Sequence, residues 1–347
     1  VDELEKVREL YGEPRPDPFL KARVFGRLQA EPRRRRWLPW TVALTGLATA
    51  MTVVLIVAVL VPTTTADRAP EISGRSVLLA AATRAEADPA TTGAYWRVKK
   101  SHRRTRPEPL GKGQNRYRVV ESWLTEQWAA EDGRIWAGSR TLGARPGSAA
   151  DSEAWRRDGS PSEWAGVAPS WSSSGGETLS SSPGEGLLKP VTGRTAFSVA
   201  GRDMTFEQIR ELPADPAALK DRISSMVRGA PRGSDSGVLA DALSGLLWSK
   251  PSSPEVRAAA YRALAELPNV RYLGTARDER GRKGAAFSFT VRTSPTAPAL
   301  VQRTLIIDVA SSRVLSSTDA GGPGEEEVEV VLEAGWTDDK PAPPSLP

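Results

Sequence analysis

No cysteine occurs among the 347 residues of the chain, and that absence removes several kinds of chemistry at once. It excludes a disulfide, a thiolate metal site, a cysteine nucleophile and a lipid-modified cysteine anchor. Histidine is almost as scarce. The single one, His102, lies in the basic run Lys99-Lys100-Ser101-His102-Arg103-Arg104 and reads as a lone surface histidine. One imidazole leaves little room for histidine general-base or zinc chemistry. Lysine is short too: 10 of the 47 basic residues, the other 37 being arginine. With abundant Ala, Gly and Pro, that bias is typical of a GC-rich bacterial genome.

Catalytic motifs are also missing. There is no Gly-x-Ser-x-Gly elbow, and Gly111-Lys112 and Lys283-Gly284 lack the upstream glycine or the following hydroxyl of a phosphate-cradling loop. Glu325-Glu326-Glu327 sits in a Gly-rich turn and reads as solvated. A carboxylate pair assembled from distant segments is the one catalytic arrangement left open. The expectation is a protein that is not an enzyme and needs no cofactor or metal. Nucleic acid is not expected as a partner either. Residues 1–36 carry ten positive and seven negative charges, and the other 311 residues carry 37 and 35, so the net charge of +5 does not mark a basic surface.

What the chain does have is an anchor. From Trp37 to Val61 run 25 residues without a charge, directly after Arg33, Arg34, Arg35 and Arg36. At about 1.5 Å per residue such a helix spans the roughly 30 Å hydrocarbon core of a bilayer. Residues 22–36 hold six positive charges and residues 62–76 hold two, which places the N-terminus in the cytoplasm and the C-terminus outside. Trp37 and Trp40 then fall at the inner interface, where an indole buries its rings and still donates its N–H. A secretory signal cleaved near Thr64-Thr65-Ala66 is the alternative. Signal h-regions run only about 7–15 residues, and an uncleaved signal anchor fits the length better. The expected location is the cell membrane, single-pass, with the lipid bilayer as first partner.

The chain therefore divides into a cytoplasmic tail (1–36), a transmembrane helix (37–61), a linker (62–75), an extracytoplasmic domain (76–336) and a disordered tail (337–347). In the cytoplasmic tail, Phe19, Val24, Phe25 and Leu28 interleave with Lys21, Arg23 and Arg27. That pattern suits a docking helix for a cytoplasmic regulatory protein, or a basic segment resting on the inner leaflet.

Beyond the membrane, Ser76–Ala87 reads as an Ala-rich helix. Trp96 and Val98 alternate with Arg97 and Lys99, and strand-like runs continue through residues 116–128 and 135–136. Residues 138–193 form a long Ser/Gly/Pro-rich excursion, read as a mobile surface segment or a binding lid; Trp155, Trp164 and Trp171 stud it, which argues that it folds back on the sheet at intervals. The middle is helical: Thr205 and Gln208 make a capping box, Asp215-Pro216 and Ser253-Pro254 open further helices, and apolar stripes follow at helical spacing. Strands return after Val270, with Ala285, Phe287, Phe289 and Val291 on one face, and with Val328 and Val330 alternating with Glu327 and Glu329. Alternation of this kind marks an antiparallel sheet covered on one side by helices, hence an α+β domain. Leu243, Leu246 and Leu247 are more apolar groups than a single helix–sheet stripe requires, and they are the candidate lining of an apolar cleft.

The organisation resembles a family of actinobacterial single-pass membrane proteins often encoded near extracytoplasmic-function sigma factors. The resemblance is carried by Asp2-Glu3-Leu4, Pro16-Asp17-Pro18, Leu212 to Leu219, Val256 to Ala265, Leu305-Ile306-Ile307-Asp308 and Glu333 to Asp338. The strand–helix–strand order is similar to the half-barrel lipoprotein carriers and sigma regulators of bacterial envelopes. It implies a curved antiparallel sheet packed on central helices, with an apolar cleft between them. The tail, with neither His nor Cys, departs from anti-sigma factors that carry a zinc-binding cytoplasmic domain. The function expected is a membrane-anchored envelope protein whose outer domain binds an apolar or peptide ligand or acts as a sensor, linked to sigma-factor signalling through the tail. A scaffolding protein without a ligand and, third, an envelope hydrolase are the rivals.

Overall fold

The structure, a computed structural model, describes residues 73–171, 178–227, 235–292, 300–321 and 326–346. Helix α1 (Gly74–Glu86) starts where the Ser73 side chain accepts from the Ser76 amide, satisfying one of the orphan donors of its first turn. Three strands follow: β1 (Tyr95–Thr105), β2 (Val119–Ala130) and β3 (Ile135–Pro146). After α2 (Ala149–Arg157) come the short pairs β4 (Glu163–Trp164) with β5 (Leu179–Ser180), then β6 (Leu187–Val191), and β7 (Phe197–Val199) with β8 (Arg202–Met204). Four helices fill the middle: α3 (Phe206–Arg210), α4 (Pro216–Val227), α5 (Asp235–Gly245) and α6 (Pro254–Leu264). Five strands close the chain: β9 (Arg271–Arg277), β10 (Lys283–Arg292), β11 (Leu300–Asp308), β12 (Arg313–Ala320) and β13 (Glu327–Thr337). The class is α+β.

Nine strands make one antiparallel sheet in the order β6-β3-β2-β1-β13-β12-β11-β10-β9. Two meanders, one from each end of the domain, are joined along β1 and β13, where Trp96 faces Trp336 and His102 faces Glu329. The last strand therefore completes a sheet that the first strand began, and residues 67–347 form one compact unit.

The main core lies between the helices and one face of this sheet. It gathers Trp96 and Val98 from β1, Phe287, Phe289 and Val291 from β10, Leu305 and Ile307 from β11, and the inward stripes of α3 to α6. Helix α6 is the centre. Ala258, Ala259, Ala260, Tyr261 and Ala263 are all fully buried, and such small side chains let α1 lie close through Ala81, Ala82 and Ala85. A helix that is apolar nearly all round belongs inside. The fully buried Tyr261 hydroxyl donates to the Ser312 carbonyl at 2.9 Å, and the part-buried Arg257 pairs with Asp88 at 3.2 Å. Helix α5 presses on β10 so closely that a Cβ on Gly237 would stand 2.2 Å from the Thr290 carbonyl oxygen.

Several expectations change. The excursion assigned to 138–193 is largely built into the fold. Strand β3 stays in the sheet to Pro146, β6 pairs with it from Ile135↔Val191 to Ser139↔Leu187, and α2, β4 and β5 pack a second core around Tyr117, Val119, Ala154, Trp164 and Leu179. The tryptophans supply the apolar area that the Ser/Gly composition lacks. Residues 338–346 form neither helix nor strand. Even so, Pro344 is buried, and Arg140 Nη1 donates to its carbonyl at 3.3 Å. Among the described residues no helix is long and apolar enough to cross a membrane. The segment 37–61 and its flanking Arg33, Arg34, Arg35, Arg36, Trp37 and Trp40 lie outside the described residues.

Candidate functional site

Leu243 and Leu246 face the core, and Leu247 borders a small opening of about 120 Å³ beside Trp96 and Trp248. All three are buried in the main core. The helix ends at Gly245, and Leu246 and Leu247 sit in a following turn whose amides bond to Leu243 and Ser244 carbonyls at 3.1 Å. Their apolar surplus is used because α5 is packed on three sides, by α4, α6 and β10, and not along one stripe.

The larger opening lies on the other half of the sheet. A cleft of about 770 Å³ rests on the same face that carries Trp96 and Val98, but over β1, β2, β3 and β6. Cross-strand pairing lays its floor in rows, because directly paired residues of antiparallel strands share a face. One row runs Val98, Gln127, Ala137, Lys189; the next runs Lys100, Thr125, Ser139, Leu187. Ile135 and Val191 extend the floor, and Trp171, the segment Arg194 to Ala196, and Trp248 with Ser249 form the walls. Gln127 Nε2 ties one wall to the floor by donating to the Ala196 carbonyl at 2.7 Å.

The Trp171 wall is fastened from beneath by a buried carboxylate. Glu121, 1% exposed, accepts from the Ser170 amide at 2.7 Å, the Ser170 hydroxyl at 2.9 Å and Arg106 Nη1 at 2.8 Å. Arg106 also donates to the Ala168 carbonyl at 2.9 Å. Trp171 then stacks on Trp123, with centroids 6.1 Å apart, and Trp123 stacks on His102 at 5.0 Å.

That ladder ends at the single histidine, which is buried and not on the surface. Its Nε2 is 2.7 Å from the Thr125 hydroxyl, while Nδ1 has no hydrogen-bond partner among the described residues and lies 3.6 Å from Glu329 and 3.8 Å from Glu327. The glutamates expected to face water thus occupy the same face as Val98 and His102. Pairing puts Glu121, Arg104, Glu327, Asp319 and Arg303 in one transverse charged row, with the two adjacent acids, Glu327 and Asp319, flanked by Arg104 and Arg303. Burial alone would raise the Glu327 carboxyl, but the polar edge of His102 beside it and the ion-paired, hydrogen-bonded Arg104 outweigh it and hold the group below the usual glutamate range.

His102, Glu327 and Glu329 bring donor atoms within 4.8 Å of one another, a spacing a metal ion could use. The charges nearby argue against one. Glu327 is ion-paired with Arg104, and both Glu329 oxygens accept from Lys100 at 3.0 and 3.1 Å. A divalent ion would have to displace two cations already in place, so the cluster is a structural ion-pair network under the cleft. Reading the sequence missed this site, apart from Trp171 in the excursion. The one available signal was Lys100 and His102 continuing the inward parity of Trp96 and Val98 on a single strand.

No protein-family model matches the chain, and no curated protein matches it. Among solved structures it is similar to the complex of MucA with MucB from Pseudomonas aeruginosa, at 10% sequence identity and a TM-score of 0.24. The match covers 75% of this chain and 56% of that one. A superposition this loose carries no argument about function.

Proposed function

We propose that the protein is a membrane-anchored ligand-binding protein of the cell envelope, whose outer domain captures an apolar or peptide ligand in the cleft beside Trp171 and Trp248. The observation that carries this reading is the cleft itself. Its volume of about 770 Å³ falls in the range of small-molecule sites, and its surface mixes Val98, Ile135, Leu187, Pro190, Val191 and two indoles with a few polar groups. A scaffold needs no such opening. In this reading the nine-stranded sheet acts as a half-barrel, residues 37–61 hold it to the membrane with the domain outside, and residues 1–36 carry ligand state to a cytoplasmic regulator of the sigma-factor kind. The protein does no chemistry on what it binds.

Ala137 offers a direct test. It is exposed at the centre of the floor, so Ala137→Trp fills the cleft without touching the core. Intact parent and variant are extracted from membranes, and bound lipids and peptides are identified by mass spectrometry. A species retained by the parent and missing from the variant supports capture in the cleft. Identical profiles from both would leave the scaffold as the better account.

A further inference from the structure

Beyond Trp248 a second pocket of about 320 Å³ opens on the same face, sharing Lys100, Trp248 and Ser249 with the cleft. Its lining is polar, with Ser198, Ser244 and Ser317 beside three cations, Lys100, Arg303 and Lys250. Two of those cations are answered. Lys100 holds both oxygens of Glu329, and Arg303 forks onto Asp319 at 2.7 and 2.6 Å while also bonding Asp241. Lys250 is different. Its ammonium makes one hydrogen bond, 2.8 Å to Ser249 Oγ, and among the described residues no carboxylate pairs with it within 4.0 Å. Of its three donors, two are left for the pocket. Gly245 permits this placement, since a Cβ there would stand 2.8 Å from the Lys250 nitrogen.

We propose that this pocket receives an oxyanion, whose oxygens accept from the two open Lys250 donors and from the Ser198 and Ser317 hydroxyls; the Ser244 and Ser249 hydroxyls already donate to the Asp241 and Gly245 carbonyls. The donor set suits a carboxylate, sulfate or phosphate group: a cationic point donor with hydroxyls around it, enclosed enough for the charge to count. The anion can arrive free or as the head of an amphiphile whose tail lies in the adjoining cleft. The oxyanion site does not require that the cleft reading be right.

Protonation gives the proposal a second handle. Burial pushes the Lys250 amine down to about 8, with Asp241 opposing the push and Lys100 adding to it. The charged groups facing it are Asp241 from α5, Lys100 from β1, Arg303 from β11 and Glu329 from β13. A bound oxyanion favours the charged amine, so binding takes up a proton near pH 8 and weakens as pH rises past it.

The full chain in nanodiscs of zwitterionic lipid is titrated by calorimetry with inorganic sulfate and with hexyl sulfate, whose charges are constant between about pH 7 and pH 9. The expected result is sulfate binding up to about tenfold weaker at the higher pH, abolished in Lys250→Met and unchanged in Lys112→Gln, an exposed cation that lines neither the cleft nor the pocket. Lys250→Arg, which keeps the charge and cannot lose it in this range, retains binding with the pH dependence removed. Hexyl sulfate binding tenfold or more above sulfate identifies an amphiphile head as the source, and equal affinities identify a free anion; both support the oxyanion site. No binding of either probe, or affinity unmoved in a folded Lys250→Met or Lys250→Arg variant at every pH, overturns it. A parallel titration with neutral N-phenyl-1-naphthylamine separates the two ideas. Sulfate without the naphthylamine defeats only the cleft reading, and the naphthylamine without sulfate defeats only this one.

Discussion

Glu121→Ala tests whether the Trp171 wall is a built part of the domain. The carboxylate is 1% exposed and serves three donors: Arg106 at 2.8 Å, and the Ser170 amide and hydroxyl at 2.7 and 2.9 Å. Removing it takes the close carboxylate from a guanidinium whose side chain is only 16% exposed, leaving Arg106 the Ala168 carbonyl and the exposed Glu108 at 3.8 Å, and leaves two further donors without their acceptor. Breaking one partner of a buried pair costs about 3–5 kcal/mol when the remaining charge is left buried, and the residual contacts of Arg106 place this case at about 3 kcal/mol, the low end of that range. At roughly 2–4 °C per kcal/mol for a domain of this size, the melting temperature should fall on the order of 10 °C. The double variant Arg106→Met with Glu121→Leu should recover part of that loss, since no charge is then left alone. It should stop about 1–3 kcal/mol short, because Ser170 still lacks its acceptor. Circular dichroism melts of the full chain in nanodiscs give the stabilities, and recovery of co-purifying ligand gives the state of the cleft. A Glu121→Ala variant within about ±0.5 kcal/mol of the parent, the range of ordinary surface changes, would refute the claim that this carboxylate fastens the wall.

Leu246→Ala should cost about 2–5 kcal/mol through lost transfer energy and a residual cavity, without changing ligand recovery from the cleft; lost recovery with unchanged stability would return these leucines to the binding surface. Glu327 titrates below the usual glutamate range in the folded protein, so it adds stability above its unfolded pKa and loses it as pH falls through the folded value. Denaturant midpoints measured downward from about pH 5 should therefore fall less steeply for Glu327→Gln than for the parent, and parallel curves would show that the row Arg104–Glu327–Asp319 is not linked to protons. Protease added to intact protoplasts should digest residues 67–347 and spare residues 1–36, and the opposite pattern would invert the proposed orientation.

Much of the fold could be read from residue order because its signals are local. The capping box at Thr205 and Gln208 forms as read, with the hydroxyl and the amide each serving the other's backbone. Ser253-Pro254 opens α6, and the alternating run Ala285, Phe287, Phe289, Val291 lies on one buried face of β10. The excursion misled for a compositional reason. Serine, glycine and proline at 138–193 suggested a surface excursion touching the sheet only at its tryptophans, but its order comes from further sparse anchors as well: Trp164 on Tyr117, Leu179 in the small core, and Glu121 on another strand. Such anchors are long-range pairings, which periodicity within a window does not register.

The site was less legible because strand pairing creates it, and register is not written in any one strand. Glu327 and Glu329 alternate with valines, so local logic turns them to water, and the valines are indeed buried. Yet the seam between β1 and β13 puts His102 opposite Glu329 and Arg104 opposite Glu327, and the carboxylates gain cations on the inward face. The same seam divides that face by function. On the β10–β11 side, phenylalanine and leucine meet the helices and close the core; toward β2, β3 and β6 the rows turn to Lys100, Thr125, Gln127 and Ser139, which no helix covers. A polar row continuing inward from an apolar strand costs stability unless it is paired or wet. Here the Lys100, Glu329 and His102 end is paired and the Ser139, Lys189 end is wet. The boundary between those two conditions is where the cleft begins.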